Sequence, residues 1–203
     1  MKSMIASELD FVPERGSSLI CIPVSAADEQ TLATVGSVVE HSDPEVPILL
    51  VGPAEPLEKI LEEFPLGLRH GEHQMKLLAW KGGATAAVNR AMQVARPADL
   101  ALVVPGCLVT AEWLVRLRNA ATSDSVVASV TPLSIGGSGV DLFAVESDEP
   151  VASPAAATRS RLASAQLNLG DSAAEQVALQ VRASAPRLWP RIASMGPGCV
   201  YIR

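Results

Sequence analysis

Two hydrophobic rhythms take turns along this chain. One is a short, nearly unbroken apolar run. The other is an apolar residue every three or four positions. Runs of the first kind are SLICIPVS (18–25), VPILLVG (46–52), MKLLAW (75–80), DLALVV (99–104) and SVVASVTPL (125–133). Unbroken apolar character, rather than strict alternation, predicts strands buried on both faces. The last stretch, IASMGPGCVYIR, reads as a turn followed by a final apolar strand.

Helical spacing fills the gaps. Leu32, Val35, Val38 and Val39 predict one inward stripe after the first strand. Residues 55–64 predict a short amphipathic helix with Leu57, Ile60, Leu61 and Phe64 inward. Residues 84–95 predict another, with Ala87, Val88, Ala91 and Met92 inward. Thr110 is placed to N-cap a helix carrying Trp113, Leu114, Leu117 and Ala121, because its hydroxyl can accept an orphan backbone N–H. IGGSG (135–139) and the Pro/Ala/Ser-rich stretch 148–158 read as loops, and helical patterns follow at 158–167 and 172–183. Residues 1–16 read as a polar lead-in and 17–203 as a single domain, with no internal repeat.

Strands of this kind alternating with helices predict an α/β fold: a mostly parallel twisted sheet with helices on both faces. Ligands of such sheets lie beyond the C-terminal strand ends. The candidate site is therefore assembled from residues 23–27, 52–55, 80–83 and 105–107.

Composition narrows the partners. The 203 residues are 48% apolar and 19% charged, with a formal net charge of −6, which suits a soluble globular chain. Lys and Arg are scattered and form no basic run, so no nucleic-acid partner is expected. Cys21, Cys107 and Cys199 are odd in number and far apart, with neither zinc spacing nor a disulfide framework; the expected setting is reducing and cytoplasmic. The N-terminal segment lacks the apolar stretch of a signal peptide, and no run of about 18 apolar residues predicts a membrane span.

Several segments, in order, resemble the family-2 glycosyltransferases with the A-type nucleotide-sugar fold. LICIPVSAADEQTLATVGSVVEHSDPEVPILLVG resembles that family's opening strand, helix and second strand. KGGATAAVNRAMQVARPADLALVV resembles its Gly-containing turn and Asn-bearing helix. LVTAEWLVRLRNAATSDSVVASVTPLS and GPGCVYIR resemble later segments of a rhamnosyltransferase-like branch. The resemblance implies transfer of a sugar, of hexosyltransferase type, from a nucleotide sugar to a glycan or lipid acceptor. It places nucleotide-sugar contacts at Pro23, Val24, Ser25, Gly52, Lys81, Gly82, Asn89, Pro105 and Gly106.

The chain departs from the family at the chemistry. The resemblance implies acids after the second strand, where this chain has Val51-Gly52-Pro53-Ala54, and an Asp-x-Asp after the central strand, where it has Val104-Pro105-Gly106. A divalent cation needs anionic oxygens beside a diphosphate, and these residues offer none beyond backbone carbonyls. No metal ligand, and hence no cofactor, is expected, and no catalytic residue can be assigned. The resemblance also implies a further helix and an acidic base beyond the Tyr-Ile-Arg strand, whereas the sequence in hand stops at Arg203. On that ground the strand GCVYIR needs cover from a second copy or a partner glycosyltransferase.

Other signals have plainer readings. Asp28 and Glu29 are the nearest acidic pair to a predicted strand end, but acids also suit a helix N-terminus. Lys81 beside Gly82-Gly83 could meet a phosphate, or be a surface lysine at an ordinary turn. Asn89 could contact the ligand or be a structural amide. His70 and His73 lack a third ligand, and Cys107 lacks a nearby histidine. Trp80 and Trp113 read as core or site-wall residues, and Trp189 as a loop anchor. Three readings stay open: a metal-independent or inactive glycosyltransferase-like domain, a non-catalytic binding or scaffolding module in glycan assembly, and an unrelated doubly wound domain.

Overall fold

A computed structural model of the chain describes residues 5–6, 14–64, 74–132, 176, 179 and 198–203. The chain divides into two compact units, residues 1–130 with 199–203, and residues 131–198. The elements below all belong to the first. His70, His73, Trp189, the 135–139 and 148–158 loops and the 158–167 helix lie outside the described residues, and of the 172–183 pattern only Gln176 and Leu179 are described, both helical.

The elements run β1 (Ile5–Ala6), β2 (Ser18–Pro23), α1 (Glu29–His41), β3 (Ile48–Gly52), α2 (Ala54–Glu63), β4 (Met75–Ala79), α3 (Ala84–Ala95), β5 (Asp99–Val103), α4 (Trp113–Thr122), β6 (Ser129–Val130) and β7 (Cys199–Ile202). They build a seven-stranded sheet in the order β1-β4-β3-β2-β5-β7-β6. The pairs β1–β4, β4–β3, β3–β2 and β2–β5 are parallel, while β7 is antiparallel to both β5 and β6. The mostly parallel α/β sheet expected from the apolar runs is present.

Every residue of β2 and of β3 is buried. Alternate residues feed two cores. Ile20, Ile22, Ile48, Leu50, Leu77, Ala101 and Val103 pack with Val35 and Val38 of α1, Leu57 and Ile60 of α2, and Trp113, Leu114 and Leu117 of α4. Leu19, Cys21, Leu49, Val51, Leu78, Leu100 and Leu102 pack against Ala87, Ala91 and Ala95 of α3. Connection handedness explains which helix goes where. Steps from β2 to β3 to β4 run one way across the sheet, and the step from β4 to β5 runs back. Right-handed crossovers then put α1 and α2 on one face and α3 on the other.

Four local expectations are corrected. The lead-in is not wholly outside the fold: Ile5–Ala6 pairs with Leu77 and Leu78 on the outer edge of β4. The inward stripe of α1 adds Thr31 and Thr34 to Val35 and Val38, with Leu32 and Val39 partly buried against the same core, and the Thr34 hydroxyl finds hydrogen bonds there. On α3, Met92 is 38% exposed, because alanines spaced four apart make the sheet-facing row. Thr110 does not cap α4. That helix starts at Trp113, preceded by Glu112 in a left-handed conformation (φ 62°), and the Thr110 carbonyl accepts from Trp113 N–H at 3.2 Å.

Of the expected 125–133 strand, whose last residue lies outside the described residues, only Ser129–Val130 is strand among residues 125–132. Asp124 accounts for it: its Oδ1 accepts from Val126 N–H at 3.1 Å and its carbonyl from Val127 N–H at 3.2 Å, a local turn that competes with the ladder. The final strand is not an uncovered edge. β7 lies between β5 and β6, with Cys199, Val200 and Tyr201 buried. The stated ground for expecting self-association or a partner is therefore absent from this strand.

Two polar links lock β7 in place. Tyr201 Oη donates to Asp99 Oδ2 at 2.8 Å, which leaves Ser18 Oγ, 3.0 Å away, to donate to Tyr201 Oη. Arg203 donates through its guanidinium to the Ala121 carbonyl at 3.0 Å and through its backbone N–H to the Ala128 carbonyl at 3.0 Å, tying β7 to the end of α4. Tyr201→Phe strips Ser18 and Asp99 of a shared partner, and an equilibrium urea titration should show a loss of about 1–3 kcal/mol. Burial, reinforced by Asp99, pushes the Tyr201 phenol from 10.0 up to about 12. A raised folded-state pKa stabilises below the unfolded value and is lost as pH rises through the folded one. Wild-type stability should therefore fall between about pH 10 and 12, and that component should be missing in Tyr201→Phe.

Candidate functional site

Parallel pairing of β4, β3, β2 and β5 puts their C-terminal ends on one edge of the sheet. Strand order reverses at β2, whose neighbours are β3 on one side and β5 on the other. The connection after β2 goes to one side and that after β5 leaves on the other, which makes the space between them the candidate crevice. The four expected segments are the ones gathered there.

After β2, Pro23 and Val24 are buried and Ser25 is exposed. Val24 N–H donates to the Val51 carbonyl at 2.8 Å, extending the ladder to the brink of the crevice. Asp28 is the N-cap of α1, its Oδ1 accepting from Thr31 N–H at 2.9 Å. That backbone hydrogen bond holds the Asp28 carboxyl below its ordinary range. Of the two roles open to Asp28, the structure displays the cap.

Gly52 ends β3 and is buried. A Cβ there would overlap the Val24 carbonyl oxygen, so only glycine lets the two strand ends run this close. The Gly52 carbonyl accepts from Trp80 N–H at 2.7 Å, which aligns the end of β4 in turn.

Beyond β4, Lys81 and Gly82 are exposed, and Gly83 is the N-cap of α3 without a side-chain cap. A Cβ on Gly82 would lie 2.5 Å from Trp80 Nε1 and 2.6 Å from Ala86 Cβ, so this glycine lets the indole fold over the helix start. Asn89 is exposed, some five residues into α3, or about 7.5 Å along its axis from Ala84. The fold thus brings Lys81 and Gly82 to the sheet edge and sets Asn89 further back.

One residue here, Arg90, escaped the sequence reading. The Arg90 guanidinium stacks on the Trp80 ring, 5.7 Å from its centroid. Its Nε is buried without a hydrogen-bond partner. Trp80 itself is 36% exposed and so is not a core residue. No sequence pattern marks Arg90; its place on α3 lets the long side chain reach back toward the helix N-terminus and Trp80.

After β5 the chain bends at Pro105-Gly106-Cys107, with Gly106 at φ 89° and Cys107 N–H donating to the Val104 carbonyl at 3.0 Å. Pro105 is half-buried and Gly106 exposed. Burial pushes the Cys107 thiol up, which disfavours the thiolate that a nucleophile needs. Cys199, buried near Cys107, is pushed up as well, and burial raises Cys21 to about 12.

The divalent cation implied by the resemblance does not fit these residues. The bend Val104-Pro105-Gly106 carries no carboxylate, and Asp28, after β2, is engaged as the cap of α1. Among the described residues no three His, Cys, Asp or Glu side chains cluster as metal ligands. No described helix is long and apolar enough to cross a membrane.

Fold and edge together define an open α/β domain with a strand-order switch at the C-terminal edge of its sheet. No family model matches the chain, and no curated protein does. Among solved structures, part of it aligns with the mannosyltransferase PcManGT from Pyrobaculum calidifontis in complex with GDP-Man and Mn2+, at 17% identity and a TM-score of 0.43. The alignment covers 65% of this chain and 39% of that one.

Gly52→Ala tests the strand-end geometry. The added methyl must push β2 and β3 apart at the crevice, so thermal or urea denaturation should report a loss of about 1–3 kcal/mol. The mirror change at Gly83, where a Cβ meets open space, should cost far less.

Proposed function

We propose that this chain carries a glycosyltransferase-like domain whose nucleotide-sugar crevice has lost its metal chemistry. The observation that carries the reading is the acid-free bend at Val104-Pro105-Gly106, standing beside the strand-order switch between β2 and β5. The order of family-like segments along the sequence supports the first half of the proposal. The residues at the bend support the second.

A nucleotide sugar entering this crevice would meet Pro23, Val24 and Ser25 after β2, Gly52 after β3, and Lys81 and Gly82 before α3. Pro105 and Gly106 form the opposite wall, with Asn89 a more distant contact. Lys81 and the uncapped start of α3 are the positive groups for a diphosphate. One loss of charge could be offset by a lysine. Two losses, after β3 and after β5, leave leaving-group departure without a counter-charge. Sugar transfer by this chain alone is therefore not expected. A non-catalytic module in glycan assembly, working with a partner glycosyltransferase or a second copy, is the alternative, and the same acid-free bend favours it over a metal-dependent enzyme.

Calorimetric titration with uridine and thymidine diphosphates, with and without manganese, decides the matter. Weak or undetectable binding that manganese does not strengthen is the expected result. Tight binding that requires manganese would refute the metal-free reading. Gly106→Asp then asks whether the crevice persists. A Cβ at that position would sit 3.5 Å from Gln30 Oε1, so there is room, and the left-handed backbone costs the new residue about 1 kcal/mol. Manganese-dependent binding gained in Gly106→Asp would show an intact pocket lacking only its ligand.

A further inference from the structure

Thr34 is wholly buried on α1 yet carries a hydroxyl. That hydroxyl donates to the Gln30 carbonyl at 2.9 Å and accepts from Gly106 N–H at 2.9 Å. One turn on, Ser37 Oγ donates to the Thr34 carbonyl at 2.9 Å and accepts from Val109 N–H at 3.3 Å. At the helix end, Ser42 Oγ accepts from Trp113 Nε1–H at 3.1 Å. Three hydroxyls along α1 thus hold three N–H groups of the 106–113 segment, in the same order along both. In Thr34 and Ser37 the bond inside the helix fixes the hydroxyl hydrogen, which leaves a lone pair facing the loop.

We infer that Thr34 is the positioning residue of the bend after β5. Its hydroxyl sets where Pro105, Gly106 and Cys107 stand at the crevice, and Ser37 and Ser42 carry the hold on to the start of α4. The bend is a preset wall of the site. Gly106 N–H is engaged by the protein itself and is not a donor for a ligand. The inference rests on these hydrogen bonds alone, and it stands or falls whether or not a nucleotide binds.

Amide hydrogen exchange on the whole chain tests it without any ligand. In the wild type, the Gly106 and Val109 amides should be protected although Gly106 is exposed. In Thr34→Val, Gly106 exchange should rise on the order of tenfold, while Cys21 and Leu102 in the sheet stay within about twofold. Thr34→Ser, which keeps the hydroxyl, should restore Gly106 protection. A Gly106 amide unaffected by Thr34→Val, or equally fast in Thr34→Ser, would overturn the assignment. If Thr34→Val does not fold, the wild type decides: exchange of Gly106 at the rate of a free amide overturns the assignment, and protection upholds it.

Discussion

A strand with a neighbour on each edge and a core on each face has only its two ends left for polar chemistry. β2 is such a strand. Its residues alternate between the core under α1, α2 and α4 and the core under α3. Its edges are taken by β3 and β5, in parallel register from Ile20 with Ile48 and from Ser18 with Asp99. Exposing even one of these side chains would forfeit about 1.5–3 kcal/mol of burial. The layered build of the unit follows from satisfying β2 on all four sides.

The two ends of that strand are used in opposite ways. At its N-terminal end, Ser18, Tyr201 and Asp99 close a hydrogen-bonded link across β2, β7 and β5. At its C-terminal end the ladder stops at Val24, and the chain turns out into the crevice. One end is stitched shut by a residue from the far end of the sequence. The other is left open, with loops that diverge because strand order reverses there. Glycines stand at the C-terminal edge where a Cβ has no room: Gly52 against the Val24 backbone, and Gly82 against the Trp80 indole and Ala86.

Helix α1 connects this architecture to the site. It packs Val35 and Val38 into the core and, on the same face, presents Thr34 to the bend after β5. A helix fixed by burial thereby fixes a loop that has little burial of its own. By this route the bend of Val104, Pro105 and Gly106, which carries no carboxylate, is hydrogen-bonded to α1.

The apolar runs at 18–25, 46–52, 75–80 and 99–104 were enough to define a parallel sheet, and with it the C-terminal edge taken as the candidate site. Period is a local property, and burial on both faces leaves no alternation to confuse it. Thr34 and Arg90 were illegible for the opposite reason. A threonine counts as polar until a partner 72 positions away takes its hydroxyl, and an arginine counts as surface until an indole from another element lies beneath it. The Ser129–Val130 strand was overcalled because Asp124 offered the backbone a local turn that no hydrophobic pattern displays. The strand GCVYIR announced itself by composition, but its seat between β5 and β6 depends on Tyr201 reaching Asp99 across 102 positions. Sequence by itself determined which segments are strands and which are helices, because period and propensity act within a few residues. Tertiary structure alone decided which ends meet, which glycines are indispensable and which polar side chains hold the bend, because those depend on contacts between residues that the chain keeps far apart.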